Sequence, residues 1–200
     1  MSKVISISRE FGRGGREIGF RLAQKLGIPF YDKELIEMAV EDSNISEELF
    51  HANDEVIARK EHTSKTYAPI DPFSTTYEIP VSDQLFVIQT KIIRQLAQNG
   101  PCVIIGRCSD VIIEDAFKVF ICSSLKHRVE RLSSIENGGD ADPKKLEIQI
   151  RSVDKKRKDY YQYYSGNEWG KPKNYDICLN SGALGIERCV ELLAELAAEL

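Results

Sequence analysis

The sequence predicts an α/β fold of three layers, with a five-stranded parallel sheet and helices on both faces. Short apolar runs rich in β-branched residues recur along the chain, and helical periodicity follows each of them. The first run enters its helix through a glycine-rich stretch, Gly12 to Gly15. Strand and crossover helix in alternation make a parallel sheet covered on both sides, with ligands at the carboxyl ends of its strands.

Taken in order, Val4 to Ser8 is the first strand, and Ile18, Leu22 and Leu26, spaced four apart, mark the buried face of the next helix. Gly27 can supply the left-handed residue that ends this helix and Pro29 cannot continue it, so Pro29 to Tyr31 is the second strand. Leu85, Ile88, Ile92 and Leu96 form a helical stripe that Gly100 and Pro101 stop. Cys102 to Gly106 is a continuous apolar run, suited to a strand buried on both faces. Phe117 to Cys122 is the fourth strand, with a helix from about Ser124, and Asp176 to Asn180 is the fifth, before the stripe Ile186, Val190, Leu193 and Ala197. Two stretches break the rhythm: Asp42 to Pro80, polar and with three prolines, and Asn137 to Lys173, which runs through a charged helix into a tyrosine-rich segment. In the second, Asp142 before Pro143 is an N-cap with proline at the first helical position, and Leu146, Ile150 and Val153 give one apolar face.

A chain of 200 residues with 42% hydrophobic content fits one domain over 1–200. Its net charge of -4 gives no broad attraction to nucleic acid or to an anionic membrane, so phosphate binding has to come from local clusters of arginine and lysine. The five cysteines and the three histidines, His51, His62 and His127, lack metal-ligand spacing, which leaves mostly inert thiols and structural histidines. The start is too short and polar for a signal peptide, and no apolar run approaches the about 20 residues of a membrane span, so the expected compartment is the cytoplasm.

The glycine stretch carries the chemistry. Glycines let backbone N–H groups approach an anion, and the start of the following helix adds about half a positive charge. The expected phosphate-binding loop is Gly12, Arg13, Gly14, Gly15, Arg16 and Glu17. The standard P-loop, GxxxxGK[ST], is nevertheless absent. Register from the following helix puts Arg9 at the first glycine, Gly14 at the second, Gly15 at the lysine and Arg16 at the hydroxyl residue. Arg13 or Arg16 is the expected substitute for the missing positive charge, since guanidinium grips phosphate oxygens in a bidentate fork. Arg128 and Arg131, three apart on one helix, share a face and are expected to close over phosphates.

Several segments, in order along nearly the whole chain, make it resemble the cytidylate kinase-like family of nucleoside monophosphate kinases: SREFGRGGREIGFRLAQKLGIPFYDKELI, IGRCSDVI, the helix with Asp154-Lys155-Lys156-Arg157, YYQYYSGNEWG and NYDICLNSGALGIE. The resemblance implies a P-loop NTPase fold, a monophosphate-binding insert at about 42–82 and a lid at about 124–173. It implies that Asp32 and Lys33 border the acceptor nucleotide, although Asp32 is equally a good helix N-cap. It also implies that Arg107 contacts the acceptor phosphate and that Arg157 closes on transferring phosphates. Where the family's glycine-arginine pair is flanked by aspartates, Ile105 and Cys108 stand here, and Asp110, the nearest carboxylate, is expected with Asp32, Lys33 and Arg107 at the acceptor site.

The expected activity is transfer of the γ-phosphoryl group of ATP, with Mg²⁺, to a nucleoside monophosphate. Arg13, Arg16, Arg128, Arg131 and Arg157 are the candidate catalytic residues, and no metal ligand is expected among the side chains. The alternative is an impaired nucleotide-binding or sensing module that keeps the phosphate site. Nucleotides are the expected partners, with no nucleic acid and no membrane, and with homo-oligomerisation left open.

Overall fold

The computed structural model describes residues 4–32, 35, 37–38, 55, 57, 80–135 and 141–199. Among them the chain makes a five-stranded, all-parallel sheet in the order β2-β3-β1-β4-β5, formed by β1 (Ile5–Arg9), β2 (Phe30–Tyr31), β3 (Val103–Ile105), β4 (Phe117–Cys122) and β5 (Ile177–Asn180). Ile5 lies opposite Val103 on one side and Phe117 on the other, so β1 is central. The chain leaves β1 toward one edge and later crosses to the other, which places a topological switch at the carboxyl end of β1.

Alternation along the strands builds the two inner surfaces. Ile5, Ile7, Val103, Ile105, Val119 and Ile121 face α1 (Gly15–Leu26) and α7 (Ile186–Ala198), where Ile18, Leu22, Val190 and Leu193 are buried. Val4, Cys102 and Ile104 face the opposite way, onto Leu85, Ile92, Ile93 and Leu96 of α2 (Val81–Gln98). The run from Cys102 is thus buried on both sides, as its unbroken apolar character requires. Gly27 ends α1 in the left-handed conformation, its N–H donating to the carbonyls of Ala23 and Gln24.

Beyond β3 come α3 (Ser109–Ile112), and beyond β4 the helices α4 (Leu125–Ile135) and α5 (Pro143–Ser165). Asp142 caps α5, accepting from the backbone N–H of Lys144 at 2.9 Å. Leu146 and Ile150 seat α5 on Leu132 of α4. α5 continues without a break through the tyrosine-rich segment. There Tyr160 and Tyr164 pack on Phe86 of α2, with the Phe86 and Tyr164 rings stacked at 3.9 Å, and the Tyr164 hydroxyl donates to Asp83 at 2.7 Å. A 3₁₀ turn (Pro172–Asn174) leads into β5, and α6 (Ser181–Leu184) follows it. The cysteines are free thiols: Cys102, Cys108 and Cys189 are buried, while Cys178 is exposed on the edge strand β5. No helix among the described residues is long and apolar enough to cross a membrane.

Candidate functional site

At the carboxyl end of β1 the chain turns through Glu10 to Gly14 and enters α1 at Gly15, and no side chain caps that helix start. Orphan N–H groups there face a cleft of about 900 Å³, lined by the loop glycines and, from other elements, by Asp32, Glu55, Arg107, Arg131 and Arg157. Seven cationic side chains and four carboxylates line it, so this cleft is positive on a chain whose net charge is -4. The local cluster required for phosphate binding is therefore present.

Arg9 is the residue around which the cleft is organised. Its side chain crosses directly over Gly15: a Cβ on Gly15 would lie 2.7 Å from the Arg9 Cβ and 3.0 Å from its Cγ. The space that the Cβ of a side chain at position 15 would need is thus already filled by Arg9. In the standard loop the first position is glycine and the later one lysine; here the large cation and the small residue have changed places. A Cβ on Gly106, which has φ of 71°, would overlap both the Arg9 guanidinium and the Glu55 carboxylate, so the bare backbone there is what lets the Arg9 head sit at the end of β3.

Three arginines from three elements meet at that point. Glu55 Oε1 accepts from Arg9 Nη1 at 2.7 Å and from the backbone N–H of Arg107 at 3.3 Å, and Glu55 Oε2 accepts from Arg157 Nε at 3.1 Å. Arg157 also donates to the Arg9 carbonyl at 3.2 Å, and its guanidinium lies 5.9 Å from the Phe11 ring centroid. Arg107 is buried, and its Nη1 approaches Asp32 at 3.6 Å. Its backbone belongs to a run of left-handed residues, Gly106, Arg107 and Cys108, with φ of 71°, 54° and 56°. A branch of positive φ at two non-glycine residues marks a turn held in place by its surroundings. Burial alone would raise the Glu55 carboxyl, but Arg9, Arg157 and Arg107 outweigh it and hold the group well below the usual carboxylate range. Burial, reinforced by the charge of Arg9, pushes the Arg157 guanidinium below its ordinary value.

The other expected site residues occupy distinct places. Arg13 is buried: its Nη2 donates to the Glu10 carboxylate and, at 2.6 Å, to the Ser123 carbonyl, while Nε and Nη1 have no partner among the described residues. Burial pushes its guanidinium down to about 10. It borders a small cavity of about 160 Å³ behind the loop, together with Ser123, His127 and Ser181. Arg16 donates to Asp32 at 2.7 Å with more than half of its side chain exposed, on the wall beside Arg107. Arg131 reaches back to Glu17 at 2.6 Å. Arg128 is paired with Asp154, whose other oxygen accepts from the Phe11 N–H at 2.7 Å, so α4, α5 and the loop share one carboxylate. Asp110 stands apart, buried in a separate cavity of about 600 Å³ beside Tyr161, whose hydroxyl donates to it at 2.7 Å. Burial raises the Asp110 carboxyl, and that hydrogen bond opposes the rise. Lys33 lies outside the described residues, as does most of the stretch at about 42–82.

A model of the cytidylate kinase-like family matches residues 4–183. The chain belongs to the cytidylate kinase-like family. No curated protein matches it. Over the full length of both chains it is similar to the crystal structure of an uncharacterized protein from Eubacterium ventriosum, at 25% identity and a TM-score of 0.72. Shikimate kinase from Bacteroides thetaiotaomicron superposes with a TM-score of 0.56 at 16% identity, over 99% of each chain, a likeness that establishes the kinase fold. The chain is thus a kinase-like protein built on the P-loop kinase fold.

Arg9 and Glu55 were missed as site residues in the sequence of this cytidylate kinase-like protein. For Arg9 the signal was there: a large cation at the first glycine position, with a glycine at the lysine position, is a complementary pair of changes. Glu55 carried no such mark, being one acid among many in a polar stretch with no helical or strand periodicity.

Proposed function

We propose that this protein is a phosphotransferase that moves the γ-phosphoryl group of ATP to a nucleoside monophosphate. The observation that supports it is the convergence of Arg9, Arg107 and Arg157 within the cleft whose floor is the uncapped start of α1. Phosphoryl transfer depends almost wholly on in-line positioning and on cations around the moving group, and this cleft supplies both backbone donors and guanidiniums. The loop amides fit the phosphates of ATP, and Arg9 takes the part of the absent lysine. Arg107 and Arg157 face the acceptor phosphate, while Asp32 steadies Arg16 and Arg107 on the same wall. Arg131, on the α4 side, adds charge when the cleft closes. The stretches at about 42–82 and 124–173 serve as monophosphate-binding insert and lid, and the protein works on nucleotides in the cytoplasm.

Mg²⁺ is the ion that the resemblance implies, and the side chains do not fit one held directly by the loop. Arg16 stands at the hydroxyl's place with its guanidinium on Asp32, and among the described residues no group of three or more His, Cys, Asp or Glu side chains could hold a metal. Charge neutralisation in this reading therefore falls to the arginines.

The same substitution favours a second reading, a nucleotide sensor that binds without transfer. A coupled assay with ATP and each nucleoside monophosphate separates the two. Turnover that falls at least about 100-fold in Arg9→Ala, as expected for a lost transition-state cation, supports the enzyme. Turnover equal in wild type and Arg9→Ala refutes it, and tight ATP binding without turnover leaves the sensor.

A further inference from the structure

Glu55 brings one negative charge to a point where three guanidinium-bearing residues converge, and it does so from a stretch that is otherwise remote in sequence from all of them. Its carboxylate fills the hollow left by the bare backbone at Gly106. Both of its oxygens accept from guanidinium nitrogens, Oε1 from Arg9 at 2.7 Å and Oε2 from Arg157 at 3.1 Å, which are distances at which a guanidinium pair takes an oxyanion. Among the described residues Glu55 is the one carboxylate that bridges Arg9 and Arg157, and it brings a single charge to two guanidiniums.

We infer that Glu55 is an internal stand-in for a phosphate monoester dianion: in the unliganded protein its carboxylate holds Arg9, Arg107 and Arg157 together, and the phosphoryl group of the acceptor displaces it to bind. A tetrahedral dianion offers three oxygens and two charges where Glu55 offers two oxygens and one. The exchange satisfies the same donors and sets two negative charges against the guanidiniums that Glu55 meets with one. The inference rests on the kinase reading for the identity of the ligand as an acceptor's phosphate, while the dianion subsite stands on the geometry alone. Its consequence is a built-in threshold, since apparent affinity for the ligand is reduced by the fraction of molecules in which Glu55 vacates the subsite.

Calorimetric titration of the full chain with inorganic phosphate, with CMP and with ATP tests this, using wild type, Glu55→Gln and Glu55→Asp. Glu55→Gln removes the competing charge at constant shape, and Glu55→Asp withdraws it by one methylene. Both variants bind phosphate and CMP at least about tenfold more tightly than wild type if the subsite is occupied nine-tenths of the time. Adding Arg157→Ala to Glu55→Gln abolishes that gain. Unchanged or weaker phosphate binding in both variants overturns the inference. Thermal unfolding covers a variant that is merely destabilised: saturating phosphate raises the midpoint of Glu55→Gln more than that of wild type, and an equal or smaller rise shows Glu55 to be a structural clamp. The ATP arm is separate, for if no form binds ATP the kinase reading falls while the phosphate arm still decides the subsite.

Discussion

Exchange of the large and small residues between positions 9 and 15 can be reversed by design, and the structure sets the size of the effect. Gly15→Lys alone forces a Cβ to within 2.7 Å of the Arg9 Cβ and 3.0 Å of its Cγ, the stiff base of a side chain whose far end is held by Glu55. Overpacking of that kind costs about 1–3 kcal/mol. Arg9→Gly alone loses a charge-assisted hydrogen bond to Glu55, worth about 1.5–3 kcal/mol, and places glycine in a strand at a further cost of roughly 0.5–1 kcal/mol. In Arg9→Gly with Gly15→Lys the collision vanishes, so the double variant is no less stable than Arg9→Gly, and the coupling energy is about 1–3 kcal/mol. Urea unfolding followed by the fluorescence of Trp169, the chain's one tryptophan, measures all four forms. For a chain of this length, the Gly15→Lys loss appears as a midpoint about 2–12 °C lower in a thermal scan. ATP affinity lost in Arg9→Ala returns in the double variant, because the new lysine enters the cleft from the standard position. Additivity of the two single changes within about 0.5 kcal/mol would refute the complementarity of Arg9 and Gly15.

Other perturbations give outcomes of different sign. Glu55 has its carboxyl held below the ordinary value near 4.5, so the stability it contributes is complete above that pH and is lost as pH falls through the lower folded value; Glu55→Gln flattens this acid limb in a pH series of urea midpoints. Asp110 has the opposite sign: its folded carboxyl lies above the ordinary value near 3.8, the native state holds the extra proton, and stability falls as pH rises through the folded value. Asp110→Asn removes that fall, and a profile identical to wild type would show that the group does not titrate in this window. Arg13→Met takes a fully buried guanidinium away from Glu10 and the Ser123 carbonyl, which costs about 3–5 kcal/mol of unfolding free energy; a loss below about 1 kcal/mol would mean that the Glu10 pair contributes little to holding the loop.

The layers of this fold were legible because its strands and helices obey simple periods. The run from Cys102 announced a strand with two buried faces, and Ile186, Val190, Leu193 and Ala197 announced the helix that packs beside α1. Caps were equally legible at Asp142 and Gly27, where a single residue decides the geometry. The cleft was legible only in outline. A register can say that Arg13 and Arg16 flank a phosphate loop, but side-chain direction depends on tertiary neighbours: Glu10 and Ser123 draw Arg13 inward, and Asp32 draws Arg16 to the wall. Glycine and arginine at positions 15 and 9 stand six residues apart on two different elements, so their exchange acquires meaning once the turn brings them together. Asp110 shows the reverse error of proximity, since three residues beyond Arg107 a short helix has already carried the chain to another cavity.

Asp154 joins the loop backbone at Phe11 to Arg128 through its two oxygens. A swing of α5 that left the loop behind would break both links together. The loop, α4 and α5 are consequently fastened into one block, so any closing motion carries the three together toward the opposite wall, where exposed Arg16 pairs with buried Asp32. The guanidiniums of the cleft are thus already assembled, with Glu55 as the group on which they meet.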